Sequence, residues 1–246
     1  TCIIKGGPGV GKSTLMKKVG LHYEEKGCTV QYYHCSGDPD SIDAVYVAEN
    51  GYLMADGTSP HVLDPLRPGA KDGIPNLGVC LHEEKLARQV QQVDDCFLRV
   101  SSAFARAYRY LKAAAAVRSD NADVYAHSLS ADKRRRLQNE LLSMVPEGAH
   151  GPEKHAFMQA ITWKGVVQYP ERLEAGQVIG LDLPWGMDGD ALLQPVLHLA
   201  RQRQLPVFCW HDPLEGQKLA HLQVGDVLFT TAAPQGARIL TPALDE

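Results

Sequence analysis

TCIIKGGPGVGKSTLMKK is the sequence from Thr1 to Lys18, and this stretch decides the fold. Residues 2–4 are apolar and predict the end of a short buried strand, and the apolar residues within 15–23 recur at helical spacing. Between these two elements, two glycines separated by four residues are followed directly by Lys12 and Ser13. This order of strand, glycine-rich loop, Lys-Ser and helix is the pattern of a phosphate-binding loop.

The residue types of this loop suit a bound triphosphate. Glycines let successive backbone N–H groups curl around the phosphates, and the N-terminus of the following helix adds a positive dipole end. Lys12 supplies a cation for the β- and γ-phosphates, and the Ser13 hydroxyl is the expected Mg²⁺ ligand. The sequence therefore predicts ATP binding by Gly7, Pro8, Gly9, Val10, Gly11, Lys12, Ser13 and Thr14.

Composition excludes several other classes of protein. The chain has 246 residues, of which 44% are hydrophobic and 22% charged, with a net charge of −4. A general nucleic-acid binder normally carries a basic excess, and no run approaches the roughly 20 apolar residues of a membrane span. The six cysteines are scattered, with no Cys-x-x-Cys pair, which favours free thiols in a reducing, cytoplasmic environment.

A second strand is predicted at 29–33, where β-branched and aromatic residues follow the first helix. Strand, helix and strand with short connections predict an α/β fold with a parallel sheet and helices on both faces. Because ligands bind at the carboxyl ends of such strands, the segment 34–43 is a candidate wall of the site, although it also fits a helix-capping turn. Within it, Asp38 and Asp40 are candidate catalytic carboxylates that would orient an attacking water.

Asp56 is the predicted second metal ligand. It ends the largely apolar stretch 52–56, so its carboxylate would emerge at the end of a strand and hold Mg²⁺ together with Ser13. We therefore assign Lys12 and Asp56 to the catalytic group as well.

Residues 83–147 predict a helical insertion within a nucleotide-binding domain that covers 1–174. Its first part carries a heptad seam, in which apolar residues alternate spacings of four and three, and a second helical segment follows at 132–145. The seam consists of Leu86, Val90, Val93, Phe97, Val100, Phe104, Ala107 and Leu111.

The remaining residues, 175–246, repeat the first unit in a degenerate and incomplete form. The stretch from Gly9 to His34 aligns with that from Gly186 to His211 at a shift of 177 positions, so that Gly189 and Asp190 stand where the loop has Lys12 and Ser13. Dropping three residues then aligns Asp38 with Asp212 and Asp56 with Thr230. With its phosphate-binding groups replaced, and with like charges in their place, the second copy is predicted not to bind ATP.

Five segments resemble a bacterial family of tandem P-loop ATP-binding proteins, over nearly the whole chain. They are GGPGVGKSTLMKKVG (6–20), HCSGDPDSID (34–43), DGTSPHVLDP (56–65), AYRYLKAA (107–114) and AFMQAITWKGVV (156–167). The resemblance implies ATP binding at 6–14 and a second P-loop domain after the first. Typical members of the family have an intact phosphate-binding loop in both halves, whereas this chain resembles them only in the first loop.

The predicted function is Mg²⁺-dependent ATP hydrolysis coupled to movement of the helical insertion. Two alternatives stay open: a small-molecule or nucleotide kinase, in which the loops at 34–43 and 58–65 bind the acceptor, and a non-catalytic ATP sensor. The expected partner is a nucleoside triphosphate, with a protein partner or a second copy of the chain as a further possibility, and neither a membrane nor a nucleic acid is expected.

Overall fold

A computed structural model describes residues 1–59, 62–169, 175–231 and 237–242 of the chain. Residues 60–61, which belong to the predicted acceptor loop at 58–65, lie outside the described part. The chain divides into two compact units, the first made of 1–102 with 162–165 and the second of 103–161 with 166–246. The boundary between the two predicted domains lies at 174, whereas the structure groups most of the helical region with the second unit.

The first unit contains a four-stranded sheet and one long packed helix. Its elements are β1 (Cys2–Ile4), α1 (Lys12–Glu24), β2 (Val30–His34), β3 (Ile42–Val47) and β4 (Tyr52–Asp56). The strand order is β1-β4-β3-β2; β1 and β4 are parallel, and β3 is antiparallel to both of its neighbours. The α/β class is therefore confirmed, while the sheet is mixed rather than parallel, because the connections of seven and four residues on either side of β3 are too short for a parallel crossover.

A small apolar core lies between α1 and this sheet. Met16 of α1 packs against Ile4, Val45 and Met54, which come from three different strands. Alternation along each strand places these side chains on the same face, so the short β1 is held in the sheet by burial as well as by its ladder. The glycine-rich loop that connects β1 to α1 is therefore anchored at both ends.

The helical region comprises α2 (Glu83–Ala87), α3 (Val90–Ser128) and α4 (Ala131–Ser143). The predicted continuous helix from residue 83 is interrupted by a turn at 88–89, so the seam begins effectively at Val90. α3 is 39 residues long and none of its residues is buried.

The second unit is built on a six-stranded sheet. Its elements are β5 (Glu153–Phe157), β6 (Gln159–Thr162), β7 (Gly165–Gln168), β8 (Gln177–Leu181), α5 (Asp190–Gln202), β9 (Val207–His211), β10 (Leu219–Val224), β11 (Val227–Thr230) and β12 (Arg238–Leu240). The order in the sheet is β12-β8-β11-β10-β9-β5, while β6 and β7 pair with each other. Leu137 and Leu141 of α4 join the core that α5 forms with this sheet.

The two units share one topology. The series β8–α5–β9–β10–β11 has the strand order β8-β11-β10-β9 and the same parallel and antiparallel pairings as β1–α1–β2–β3–β4. Even the irregular step between the second and third strands recurs, since Tyr33/His34 in one unit and Leu219/His221 in the other flank the same shift of register. A repeat of the strand–helix–strand–strand–strand unit is thus present in the structure.

Among the described residues, no helix combines the length and the apolar character that crossing a bilayer requires.

Candidate nucleotide site

The loop between β1 and α1 has the backbone conformation that its glycines permit. Gly9 and Gly11 have φ angles of 78° and 90°, in the left-handed region that a side chain would strain. Gly11 caps α1, whose first turn contains no acidic residue. Pro8, Gly9 and Gly11 are exposed, so the amides of the loop and the positive end of α1 face open space.

Lys12 folds back over this loop. Its Nζ donates hydrogen bonds to the carbonyl oxygens of Gly6 and Gly7 at 2.8 and 2.9 Å, and it lies 3.5 Å from Oδ2 of Asp56. Two of these partners are neutral carbonyl groups and the third is a carboxylate, and together they hold the ammonium group against the loop. This position would bring it close to phosphates that bind to the loop amides.

Asp56 reaches the loop because β4 lies directly beside β1. The register pairs Ile4 with Asp56, so the two strands end together and the carboxylate emerges next to the first residues of the loop. Its Oδ1 accepts a hydrogen bond from the Thr58 backbone N–H at 2.8 Å, which leaves Oδ2 directed at Lys12. The structure therefore brings together Lys12 and Asp56, as the sequence predicted.

Thr58 was predicted only as part of the candidate acceptor loop at 58–65, and its contact with Gly6 was not predicted. Its hydroxyl donates to the Gly6 carbonyl at 2.8 Å and lies 3.2 Å from the Gly6 N–H, so it ties the start of the loop to the end of β4. The available signal was its spacing, since a Thr two residues after an Asp commonly closes a turn on the carboxylate.

Ser13 is fixed from the opposite side by β3. Its Oγ accepts a hydrogen bond from the Ile42 backbone N–H at 3.0 Å. The hydroxyl is thereby oriented at the first turn of α1, one residue after Lys12. Ser13 and Asp56 are hard oxygen donors of the kind that suits Mg²⁺, so the donor set fits the predicted metal.

Lys5, the last residue before the loop, organises the segment after β4. Its Nζ donates to the carbonyl oxygens of Gly57 and Leu63 at 2.8 and 2.7 Å and pairs with Asp64 at 3.2 Å. On the other edge of β1, Lys5 exchanges backbone hydrogen bonds with the segment 75–77. The loop base is therefore held by chain segments on both sides.

The two predicted catalytic aspartates make their contacts away from Lys12. Asp38 accepts a hydrogen bond from the Asp40 N–H at 3.1 Å within their own turn, and the Asp40 carboxylate pairs with Lys164 at 2.5 Å. Lys17 also bonds to the Asp40 carbonyl oxygen. The hydrogen bond from Lys164 lowers the pKa of the exposed Asp40 side chain. The turn nevertheless leads into β3 beside Ser13, so the two carboxylates remain near one wall of the site.

The second unit reproduces the hydrogen bonds of the first with different residues. The Leu219 N–H donates to Oδ1 of Asp190 at 2.8 Å, as the Ile42 N–H donates to Ser13. Each pair is related by the shift of 177 positions. Asp190 therefore occupies the place of the predicted Mg²⁺ ligand and adds a carboxylate to the first turn of α5.

The same equivalence corrects the sequence alignment beyond residue 211. The loops close with matching bonds, from Cys35 N–H to Ser41 O at 3.1 Å and from Asp212 N–H to Lys218 O at 2.9 Å. The shift of 177 therefore continues into β10, and dropping three residues at Asp38 was wrong: its counterpart is Glu215.

The later change of shift lies in the turn before the fourth strand. Four residues connect Val47 to Tyr52, whereas two connect the equivalent Val224 to Val227. The counterpart of Asp56 is consequently Thr231 rather than Thr230. Both the predicted counterpart, Thr230, and the observed one, Thr231, are threonines, so the second unit has no carboxylate at the position of Asp56.

A cavity of about 230 Å³ lies at the equivalent place in the second unit, and it is lined by charged side chains of this unit. The guanidinium of Arg118 donates two hydrogen bonds of 2.9 Å to Asp212 and contacts Glu215. Lys218 lies 3.2 Å from both Asp188 and Glu215. Burial opposes ionisation of Asp212, but the hydrogen bonds from Arg118 hold its pKa below the usual range.

Arg118 could not be assigned to this place from the sequence, because it lies 94 positions before Asp212 along the chain. Both cations that line the cavity, Arg118 and Lys218, are paired with carboxylates.

Comparison with protein-family models, curated protein sequences and solved structures found no match to this chain. The resemblance to tandem P-loop proteins therefore stays a prediction.

Proposed function

We propose that the first unit binds a Mg²⁺–nucleoside triphosphate, with ATP as the expected nucleotide, and hydrolyses it. The observation that carries the proposal is the convergence of Lys12, Ser13 and Asp56 at one loop whose glycines adopt left-handed conformations. Each residue type has a separate task in this chemistry.

Binding of the phosphates would use the loop amides and the ammonium group of Lys12. The carbonyl bonds of Lys12 to Gly6 and Gly7 are exchangeable, because a long flexible side chain can redirect its donors to phosphate oxygens. The absence of an acidic residue from the first turn of α1 also supports an anion at this position.

Ser13 and Asp56 would hold Mg²⁺, which would supply charge neutralisation of the phosphates when bound. Asp56 is prevented from turning away by the Thr58 N–H, and Ser13 by the Ile42 N–H. Asp38 and Asp40 remain candidates for orienting water, since their turn leads directly into the strand that contacts Ser13.

The test of binding is titration of the Lys12→Ala variant with Mg²⁺–ATP by calorimetry, using Lys18→Ala as a matched control. Lys18 is exposed on the same helix and carries the same charge. A lost charge-assisted hydrogen bond costs about 1.5–3 kcal/mol, so we expect affinity to fall about 10- to 150-fold for Lys12→Ala and to stay unchanged for Lys18→Ala. Equal affinity in the wild type and Lys12→Ala would overturn the assignment.

Phosphate release separates hydrolysis from the alternatives. Release in the presence of Mg²⁺–ATP alone supports hydrolysis, whereas release or transfer only on addition of an acceptor supports a kinase. Binding without turnover under either condition supports a sensor.

A further inference from the structure

The N-terminal part of α3 presents a row of large apolar side chains with no cover. Val90, Phe97, Val100 and Phe104 retain between 45 and 57% of their accessible surface. The helix of 39 residues has no buried residue at any position, and at about 1.5 Å per residue it extends about 58 Å. These side chains belong to the heptad seam that the sequence predicts.

A helix of this kind requires a partner. Isolated helices gain little stability from propensity alone, and most helical stability comes from packing of an apolar face. Contiguous exposed apolar patches beyond a few hundred Å² are rare on proteins that have no partner there. Among the described residues of the seam, Val93 and Leu111 are half-buried, while the other six members are exposed.

We propose that the seam of α3 binds the same seam of a second copy of this chain, in an antiparallel coiled coil. In an antiparallel pair, each a-position faces a d-position of the partner. One register pairs every a-position with a d-position between residues 90 and 107. Because the two helices are related by symmetry, each layer occurs twice, once with the roles of the two copies exchanged. The layers are Val90 with Ala107, Val93 with Phe104, and Phe97 with Val100.

The sizes of the side chains favour this orientation. Every phenylalanine faces a valine in the antiparallel register, so no layer pairs two phenylalanines or two alanines. A parallel pair would instead place Phe97 against Phe97 and Phe104 against Phe104, while Ala107 would face Ala107 and leave a gap. Uneven layers of that kind combine overpacking with cavities, and both are destabilising.

The distribution of charge favours it as well. Residues 90–95, at the start of α3, contain two acidic residues and no basic one, whereas 96–112 contain four basic residues and no acidic one. Antiparallel packing brings the acidic start of each helix beside the basic part of the other, while parallel packing brings like beside like. The charged residues are Asp94, Asp95, Arg99, Arg106, Arg109 and Lys112.

The available area is close to the lower limit for a specific dimer. The paired part of α3, from Val90 to Ala107, is about 27 Å long, and covering half of the circumference of a helix about 11 Å wide on both copies buries roughly 900 Å². Specific interfaces bury about 1,000 Å² or more.

The first experiment measures the mass of the full 246-residue chain in solution by light scattering after size exclusion. We expect twice the 26.9 kDa mass of the chain for the wild type. Phe104→Asp places a charge in the seam and should give the monomer mass. Leu98→Asp, which changes an exposed apolar residue outside the seam of the same helix, should stay dimeric. A monomeric wild type, or a Phe104→Asp variant that stays dimeric, would overturn the proposal.

The second experiment tests the orientation by oxidative cross-linking in a Cys96→Ser background, which removes the exposed cysteine next to the seam. Mixed Phe97→Cys and Val100→Cys chains should form a disulfide-linked pair, because these positions share a layer. Phe97→Cys alone should form little of it. Efficient linking of Phe97→Cys with itself would show a parallel pair and contradict the proposal, as would no linking in the mixture.

Discussion

Lowering the pH from 7 to 5 should destabilise the second unit through His221. This side chain is 3% exposed, and its Nδ1 lies 2.8 Å from the hydroxyl of Thr230. Burial lowers the pKa of His221 from 6.5 to about 4, and only the charge of Asp212 opposes this effect. The imidazole is therefore neutral in the folded chain at pH 5.

The direction of the effect follows from proton binding. In the unfolded chain His221 titrates near 6.5, so between pH 6.5 and about 4 the unfolded state holds a proton that the folded state lacks. Stability from this group is complete above pH 6.5 and is lost as the pH falls through that interval. Two such pKa values give a loss of about 2 kcal/mol at pH 5 and about 3 kcal/mol in full.

Urea unfolding at a series of pH values measures this loss, with tryptophan fluorescence as the signal because buried Trp210 pairs with His221 across β9 and β10. His221→Gln removes the titrating group and retains a hydrogen-bonding side chain for Thr230. Its free energy of unfolding should fall about 2 kcal/mol less than that of the wild type between pH 7 and 5. His198→Gln, at an exposed position of α5, should follow the wild type. If His221→Gln kept the full pH dependence, another group would be responsible and the reasoning would fail.

Two further substitutions probe the two loops. Asp56→Asn should reduce the gain in ATP affinity that Mg²⁺ provides by about tenfold while leaving affinity in EDTA nearly unchanged, since the carboxylate acts on the metal; titrations with and without Mg²⁺ check this, and an unchanged gain would remove Asp56 from the proposed site. Arg118→Met should lower the free energy of unfolding by about 2–3 kcal/mol, because Asp212 and Glu215 lose their hydrogen-bonded cation in a partly buried place. Chemical unfolding measures it against Arg109→Met at an exposed position of the same helix, and equal stability of the two variants would contradict the role given to Arg118.

The sequence was most informative where a local pattern has one structural solution. Glycine spacing followed by Lys12 and Ser13 predicted the loop between β1 and α1, and an apolar run ending in Asp56 predicted the carboxylate beside it. Both depend on short-range features: the conformations open to glycine, and the exit of the chain from a strand. The seam of α3 was predicted on the same basis, because its periodicity extends over several turns.

The features that the sequence did not predict depend on pairing between residues far apart in the chain, or on small insertions. Residues 42–47 form β3, yet the antiparallel pairing that makes the sheet mixed depends on neighbours that the local pattern does not specify. Arg118 reaches Asp212 only through the fold. The predicted counterpart of Asp56 was one position off, because the sequence alignment dropped three residues at Asp38 whereas the structure drops two in the turn before β11.

The two helices that begin after the equivalent loops differ in where their first turn finds negative charge. α1 has none of its own, while α5 carries Asp190, which is already hydrogen-bonded to Leu219. In electrostatic terms, the second unit supplies an anion of its own to the positive end of α5, whereas the first turn of α1 offers none. Under the proposed function, the phosphates of the nucleotide would supply that negative charge to α1.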